Sequence, residues 1–208
     1  MINTIIITSP GEIVIENENA LKITSPGESK LKIIGNKLYI EMESNIGFNN
    51  VFNNVSFSSI NNVTMINGVI MNGNMNSVKH DFKESERTVH TFNNYHIEKI
   101  KISGSAQVNV LCPLSLKKIK LNGSGHVMIK HDYDHLNVGL NGSGCIQLNK
   151  IKNASIHLNG SGSVERFHII DNGNLSLNGS GCIKGIASIN ANINKNKNGS
   201  GSIIINKC

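Results

Sequence analysis

The stretch LNGSGHVMI at residues 121–129 decides the fold, because the chain writes it again and again. It returns as LNGSGCIQL at 140–148, LNGSGSVER at 158–166, LNGSGCIKG at 177–185 and KNGSGSIII at 197–205. With the related SGSA corner before them, the first glycines fall at Gly104, Gly123, Gly142, Gly160, Gly179 and Gly199, in steps of 19, 19, 18, 19 and 20 residues. A fixed short period is the mark of stacked repeats and outranks local propensity. Between the corners the apolar residues alternate. Val127 and Ile129 have their counterparts in Ile146 and Leu148, while Leu136, Val138 and Leu140 return as Ala154, Ile156 and Leu158, then as Gly173, Leu175 and Leu177. Period two puts one face in a core and one in water, and no stretch carries a 3.6-residue apolar stripe. The expectation is an all-β parallel solenoid of about 19 residues per rung, with almost no helix.

The corner itself has a physical reading. Each rung must turn sharply at the same place, and two glycines per corner (Gly123 and Gly125, Gly142 and Gly144, Gly160 and Gly162, Gly179 and Gly181, Gly199 and Gly201) supply residues able to take positive φ. The residue before each pair forms a column, Asn122, Asn141, Asn159, Asn178 and Asn198, placed to pass amide hydrogen bonds from rung to rung. A phosphate-cradling role is not expected, since such glycine loops open a helix and none follows here. A single rung has too little core to stay ordered, so stability must come from stacking.

The series KISGSAQVNV, KLNGSGHVMI, GLNGSGCIQL, HLNGSGSVER and SLNGSGCIKG resembles the auto-transporter adhesin head domain, also called the GIN domain. The likeness is clearest over residues 88–208. The resemblance implies a right-handed parallel β-solenoid and an adhesive or surface-display role.

The first ninety residues are less regular. ITSPGEIVI (7–15) and ITSPGESKLKI (23–33) repeat at 16 residues and match the corner frame, with Pro10–Gly11 and Pro26–Gly27 in the turns. Residues 1–44 read as rungs or a hairpin layer, and 45–78 as small β-turn units with tight turns at Asn67–Gly68 and Asn72–Gly73. The expected division is a β-rich segment at 1–78, either stacked on the solenoid end or, as favoured, a separate domain, then a charged linker at 79–90 and the solenoid at 91–208. At the far end Lys195 and Lys197 stand at inward positions, as expected of a polar terminal rung.

Composition narrows the function classes. Twenty Lys and Arg against 14 Asp and Glu give a formal charge of +6, compatible with an anionic partner but without the dense basic clusters of a nucleic-acid binder. The four cysteines, Cys112, Cys145, Cys182 and Cys208, have no CxxC spacing, so neither a zinc site nor a disulfide framework is expected. MINTIIITSPGE lacks a basic n-region and a long apolar run, so an intracellular or particle-associated protein is expected, with no membrane span.

Three constellations are candidates for chemistry. Lys99 and Lys118 stack in the frame, as do Lys101 and Lys120. Like charges placed directly opposite are unfavourable, so this patch is a candidate site for a phosphate, a sulfated glycan or a lipid headgroup. His131, Asp132, Asp134 and His135 offer metal-ligand types in one loop, but no neighbouring rung supplies partners, and a solvated loop is the expectation. His126 and Cys145 share a column on consecutive rungs, a pairing that suits a thiolate nucleophile, although the variety of that column fits a tolerant outward position. The acids of residues 96–208 (Glu98, Asp132, Asp134, Glu165 and Asp171) share no strand position on adjacent rungs, which argues against paired-carboxylate hydrolysis. The expectation is a non-catalytic structural or binding module without a cofactor, meeting a glycan, a protein surface or a second copy of itself. The alternatives are a carbohydrate-active enzyme on a β-helix and an anion-binding module.

Overall fold

The computed structural model describes residues 1–8, 11–17, 21–26, 29–42, 63–65, 87–92 and 95–208. Among these there is no helix; the chain is a parallel β-solenoid of about six turns. One side of the stack is built from β8 (Tyr95–Gly104), β10 (Lys118–Gly123), β12 (Tyr133–Gly142), β14 (Lys150–Gly160), the second half of β15 (Ser163–Asn178) and β17 (Asn192–Asn198). The other is built from β9 (Gln107–Val110), β11 (His126–Ile129), β13 (Cys145–Gln147), the first half of β15, β16 (Cys182–Ala187) and β18 (Ser202–Lys207). Each strand pairs in parallel with its counterpart one rung away, in the register of the sequence repeat. The bore is filled by aliphatic columns. Ile100, Ile119, Val138, Ile156 and Leu175 form one, and Val108, Val127, Ile146, Val164 and Ile183 another, all fully buried.

The corner differs from expectation in two respects. Only the first glycine takes positive φ, between 106° and 130° in the six corners from Gly104 to Gly199. The second is required for a different reason. A Cβ on Gly144 would lie 2.5 Å from the Gly125 carbonyl oxygen and 2.8 Å from Leu121 Cδ2, so backbone must pass over backbone with nothing between. The Asn column is also realised only in part. Asn141 Nδ2 donates to Asn122 Oδ1 at 2.9 Å, and no such bond joins Asn159, Asn178 and Asn198 among the described residues. The corners are held by backbone instead.

One irregularity serves the core. Arg166 has φ 61°, the only positive value of a non-glycine residue among those described, and marks a bulge between Glu165 and Phe167. The extra residue lets Phe167 turn inward, where it is 1% exposed. Its ring fills the space over Gly185, whose absent Cβ would fall 2.4 Å from Phe167 Cε2.

The described N-terminal residues are not set apart. β1 (Ile2–Ile7) lies parallel to β8, with Ile5 on Ile100 and Ile7 on Ile102, and β2 (Glu12–Asn17) lies parallel to β9. They form a further rung, which corrects the expected separate domain at 1–78 for the residues described. β3 (Leu21–Pro26) then runs antiparallel to β2 rather than parallel to a rung strand; the second half of the Pro26–Gly27 turn lies outside the described residues. β4 (Ser29–Ile34) and β5 (Lys37–Met42) form a hairpin around Gly35, at φ 60°, and β5 covers β1 in parallel. Short β6 (Val63–Met65) and β7 (Arg87–Phe92) extend the β3 edge in antiparallel fashion. Antiparallel strands close this end of an otherwise parallel stack. The turns at Asn67–Gly68 and Asn72–Gly73 and residues 79–86 of the linker lie outside the described residues.

At the opposite end Lys195 and Lys197 occupy the columns of Leu175 and Leu177. Both are exposed, and Lys197 Nζ donates to the Gly201 carbonyl at 3.1 Å. Lys207 Nζ donates to the carbonyls of Ser188, at 3.2 Å, and of Ala191. The last rung therefore ends in charge rather than in open apolar surface, as terminal repeats require.

Candidate binding face

The parallel register brings the four lysines together as expected, Lys99 on Lys118 and Lys101 on Lys120. Ile100, Ile102, Ile119 and Leu121 alternate with them and point into the bore, which forces all four ammonium groups onto one outward face. The hairpin adds an exposed lysine, Lys37, that the sequence frame does not reveal, while the Nζ of Lys32 is buried. Lys37 stands over Thr4, which stands over Lys99, and Lys32 pairs across from Tyr39, which stands over Ile6 and Lys101. None of Lys37, Lys99, Lys101, Lys118 and Lys120 has a carboxylate partner among the described residues. Glu98, the acid nearest in the chain, is held by Lys117. That hydrogen-bonded ion pair, with a smaller contribution from His96, keeps the Glu98 carboxyl below its ordinary pKa.

The same outward column continues beyond the lysines. Below Lys99 and Lys118 it reads Asn137, Ser155, Asn174 and Asn194. Beside it runs a second polar column, His135, Asn153, Asn172 and Asn192. Between them, with Leu136, Ala154 and Gly173 in its lining, the surface dips into an open groove of about 520 Å³. Its amides are tied together: Asn172 Nδ2 donates to Asn153 Oδ1 at 2.7 Å, and Asn194 Nδ2 to Asn174 Oδ1 at 3.5 Å. Sequence reading missed this groove, although its signal was present as asparagines recurring at the repeat spacing outside the glycine corners.

The other candidates do not assemble. His131 Nε2 donates to the Leu111 carbonyl at 2.7 Å, while Asp132 accepts from Asn149 Nδ2 at 2.8 Å and from the Lys150 amide at 3.3 Å. Asp134 and His135 are exposed, and among the described residues no three His, Cys, Asp or Glu side chains come together as a metal ligand set. His126 and Cys145 are in register, but the thiol donates to Glu165 Oε1 at 3.2 Å. Burial first, and Glu165 with it, push the Cys145 pKa up, the wrong direction for a thiolate nucleophile.

The model of the family described as "Putative auto-transporter adhesin, head GIN domain" matches residues 12–207, the span that holds all six stacked glycine corners. The chain belongs to this family. The GIN-domain solenoid here is also similar to the crystal structure of a "Putative lipid binding protein" from Parabacteroides distasonis. The TM-score is 0.52 at 17% identity, covering 98% of this chain and 92% of the other, a likeness of fold. Curated proteins yield no match.

Proposed function

We propose that this GIN-domain chain is a non-catalytic binding module, in which a rigid solenoid presents the lysine strip to a ligand bearing phosphate, sulfate or carboxylate groups. The observation that carries the reading is the register of Lys99 with Lys118 and of Lys101 with Lys120, reinforced by Lys37. Each stacked pair sits about 4.8 Å apart along the axis, a repulsive arrangement that an anion relieves. The strands beneath are fixed by the bore, so the charges are pre-organised and little ordering is lost on binding. Adhesion by a family described as an adhesin head, and lipid binding by the structural neighbour, both accord with a module that holds a ligand without transforming it. Four of the five acids of the solenoid add to this. Glu98, Asp132, Glu165 and Asp171 are each engaged by a neighbouring side chain.

The test is retention on heparin and on vesicles of equal parts phosphatidylcholine and phosphatidylserine, across a salt series. The expected result is binding that weakens steeply as salt rises and is lost in the Lys118→Glu/Lys120→Glu variant. Binding indifferent to salt and to that variant removes the reading.

A further inference from the structure

The groove beside the lysine strip has no place in simple anion binding. It runs across four rungs, His135 to Asn192 on one wall and Asn137 to Asn194 on the other. Rungs lie about 4.8 Å apart, so the groove suits an elongated ligand lying parallel to the axis. A carboxamide offers both donors and acceptors. Asn172 Nδ2 donates to Asn153 Oδ1, and Asn153 Nδ2 donates to the Asp134 carbonyl at 3.4 Å, which fixes the orientation of both amides and leaves one N–H of each for a ligand. Among the described residues that line it there is no carboxylate. A wall of fixed amides above a floor of Leu136, Ala154 and Gly173 recognises hydroxyl-bearing rings, which present polar edges and a less polar face. An acyl chain finds no enclosed apolar cavity there.

The groove and the lysines are one strip. A ligand following the column Asn194–Asn174–Ser155–Asn137 runs directly onto Lys118 and Lys99. We infer that this face binds a saccharide chain, its hydroxyls in the amide groove and its acidic groups on the lysines, so that the anionic ligand is an acidic glycan rather than a lipid headgroup. The inference rests on the lysine-strip reading above. The absence of carboxylates from the lining fits retention of the chain without cleavage, since glycosidic hydrolysis calls for a pair of them.

The experiment uses the full chain and titration calorimetry with three probes: a heparin-derived octasaccharide, tripolyphosphate, and the phosphatidylserine vesicles. Two variants are compared at matched thermal stability, Asn153→Leu/Asn172→Leu in the groove and Lys118→Glu/Lys120→Glu on the strip. The expected result is octasaccharide binding that both variants weaken by roughly tenfold or more, and tripolyphosphate binding that only the lysine variant weakens. Octasaccharide binding untouched by the groove variant overturns the saccharide inference and leaves the lysine strip standing, as does binding to vesicles in preference to the octasaccharide. Absence of binding to all three probes, or affinities that the lysine variant leaves unchanged, overturns the lysine strip and this inference with it.

Discussion

Gly142 lies directly on Gly123, so close that a Cβ on Gly142 would stand 2.5 Å from the Gly123 carbonyl oxygen. That oxygen is not idle. It accepts the amides of Ser143 at 3.1 Å and of Gly144 at 3.0 Å, and the same two-donor arrangement joins Gly104 to Ser124 and Gly125, and Gly142 to Ser161 and Gly162. The chain repeats its corner because each copy is the hydrogen-bond partner of the next.

Gly142→Ala should therefore be far more damaging than its size suggests. It combines a positive φ of 125° with a contact no rotamer change can relieve, and a loss of roughly 2–4 kcal/mol is expected. Ser143→Ala, one residue on and exposed, should change stability by less than about 0.5 kcal/mol. Chemical denaturation of the two variants makes the comparison. Equal effects would mean that the corner is not the joint described.

Lys118→Glu should raise stability while abolishing anion binding. It places a carboxylate directly beside Lys99, exchanging like-charge repulsion for attraction worth roughly 0.2–1 kcal/mol. The gain should shrink as salt is added. Thermal melts at low and high salt measure it, and a destabilised variant would show that the lysines contribute packing that outweighs their repulsion.

Stability should fall in alkaline solution in two overlapping stages. Burial raises the Cys112 thiol to about 11 and the Tyr133 phenol to about 12, against roughly 8.5 and 10 in an unfolded chain. Between each pair of values the folded state holds a proton that the unfolded state has lost, so stability decreases as pH rises. The contribution of Cys112 is intact below the unfolded thiol value and gone above about 11; that of Tyr133 persists to about 12. Cys112→Ala should remove the earlier part of the decline, seen as a flatter dependence of the melting temperature on pH. An unchanged slope would exclude Cys112 as its source.

Lys195→Leu/Lys197→Leu should make the protein associate. The two leucines would extend the columns of Leu175 and Leu177 onto β17, which no further strand covers among the described residues, leaving an apolar strand edge. Light scattering against concentration should show growth in the variant and none in the wild type. A monomeric variant would show that Lys207 and its carbonyl contacts close this end by themselves.

The repeat, the inward columns, the glycine corners and the stacking of the four lysines were all readable from residue order. In a parallel solenoid the partner of a residue lies one period away, so a spacing of about 19 residues already states the register. Lys37 was not readable as part of the strip, nor was the antiparallel closure of the N-terminal end. β3 pairs with β7 across more than sixty residues of chain, and nothing in the period announces a partner that distant. The groove depended on the tertiary structure for another reason. Its asparagines are visible in the sequence, but that the two polar columns enclose a depression, with Leu136, Ala154 and Gly173 between them, is a matter of three-dimensional shape that residue order does not state. Local repetition determines which backbones stack; only packing in three dimensions determines the shape of the surface they present.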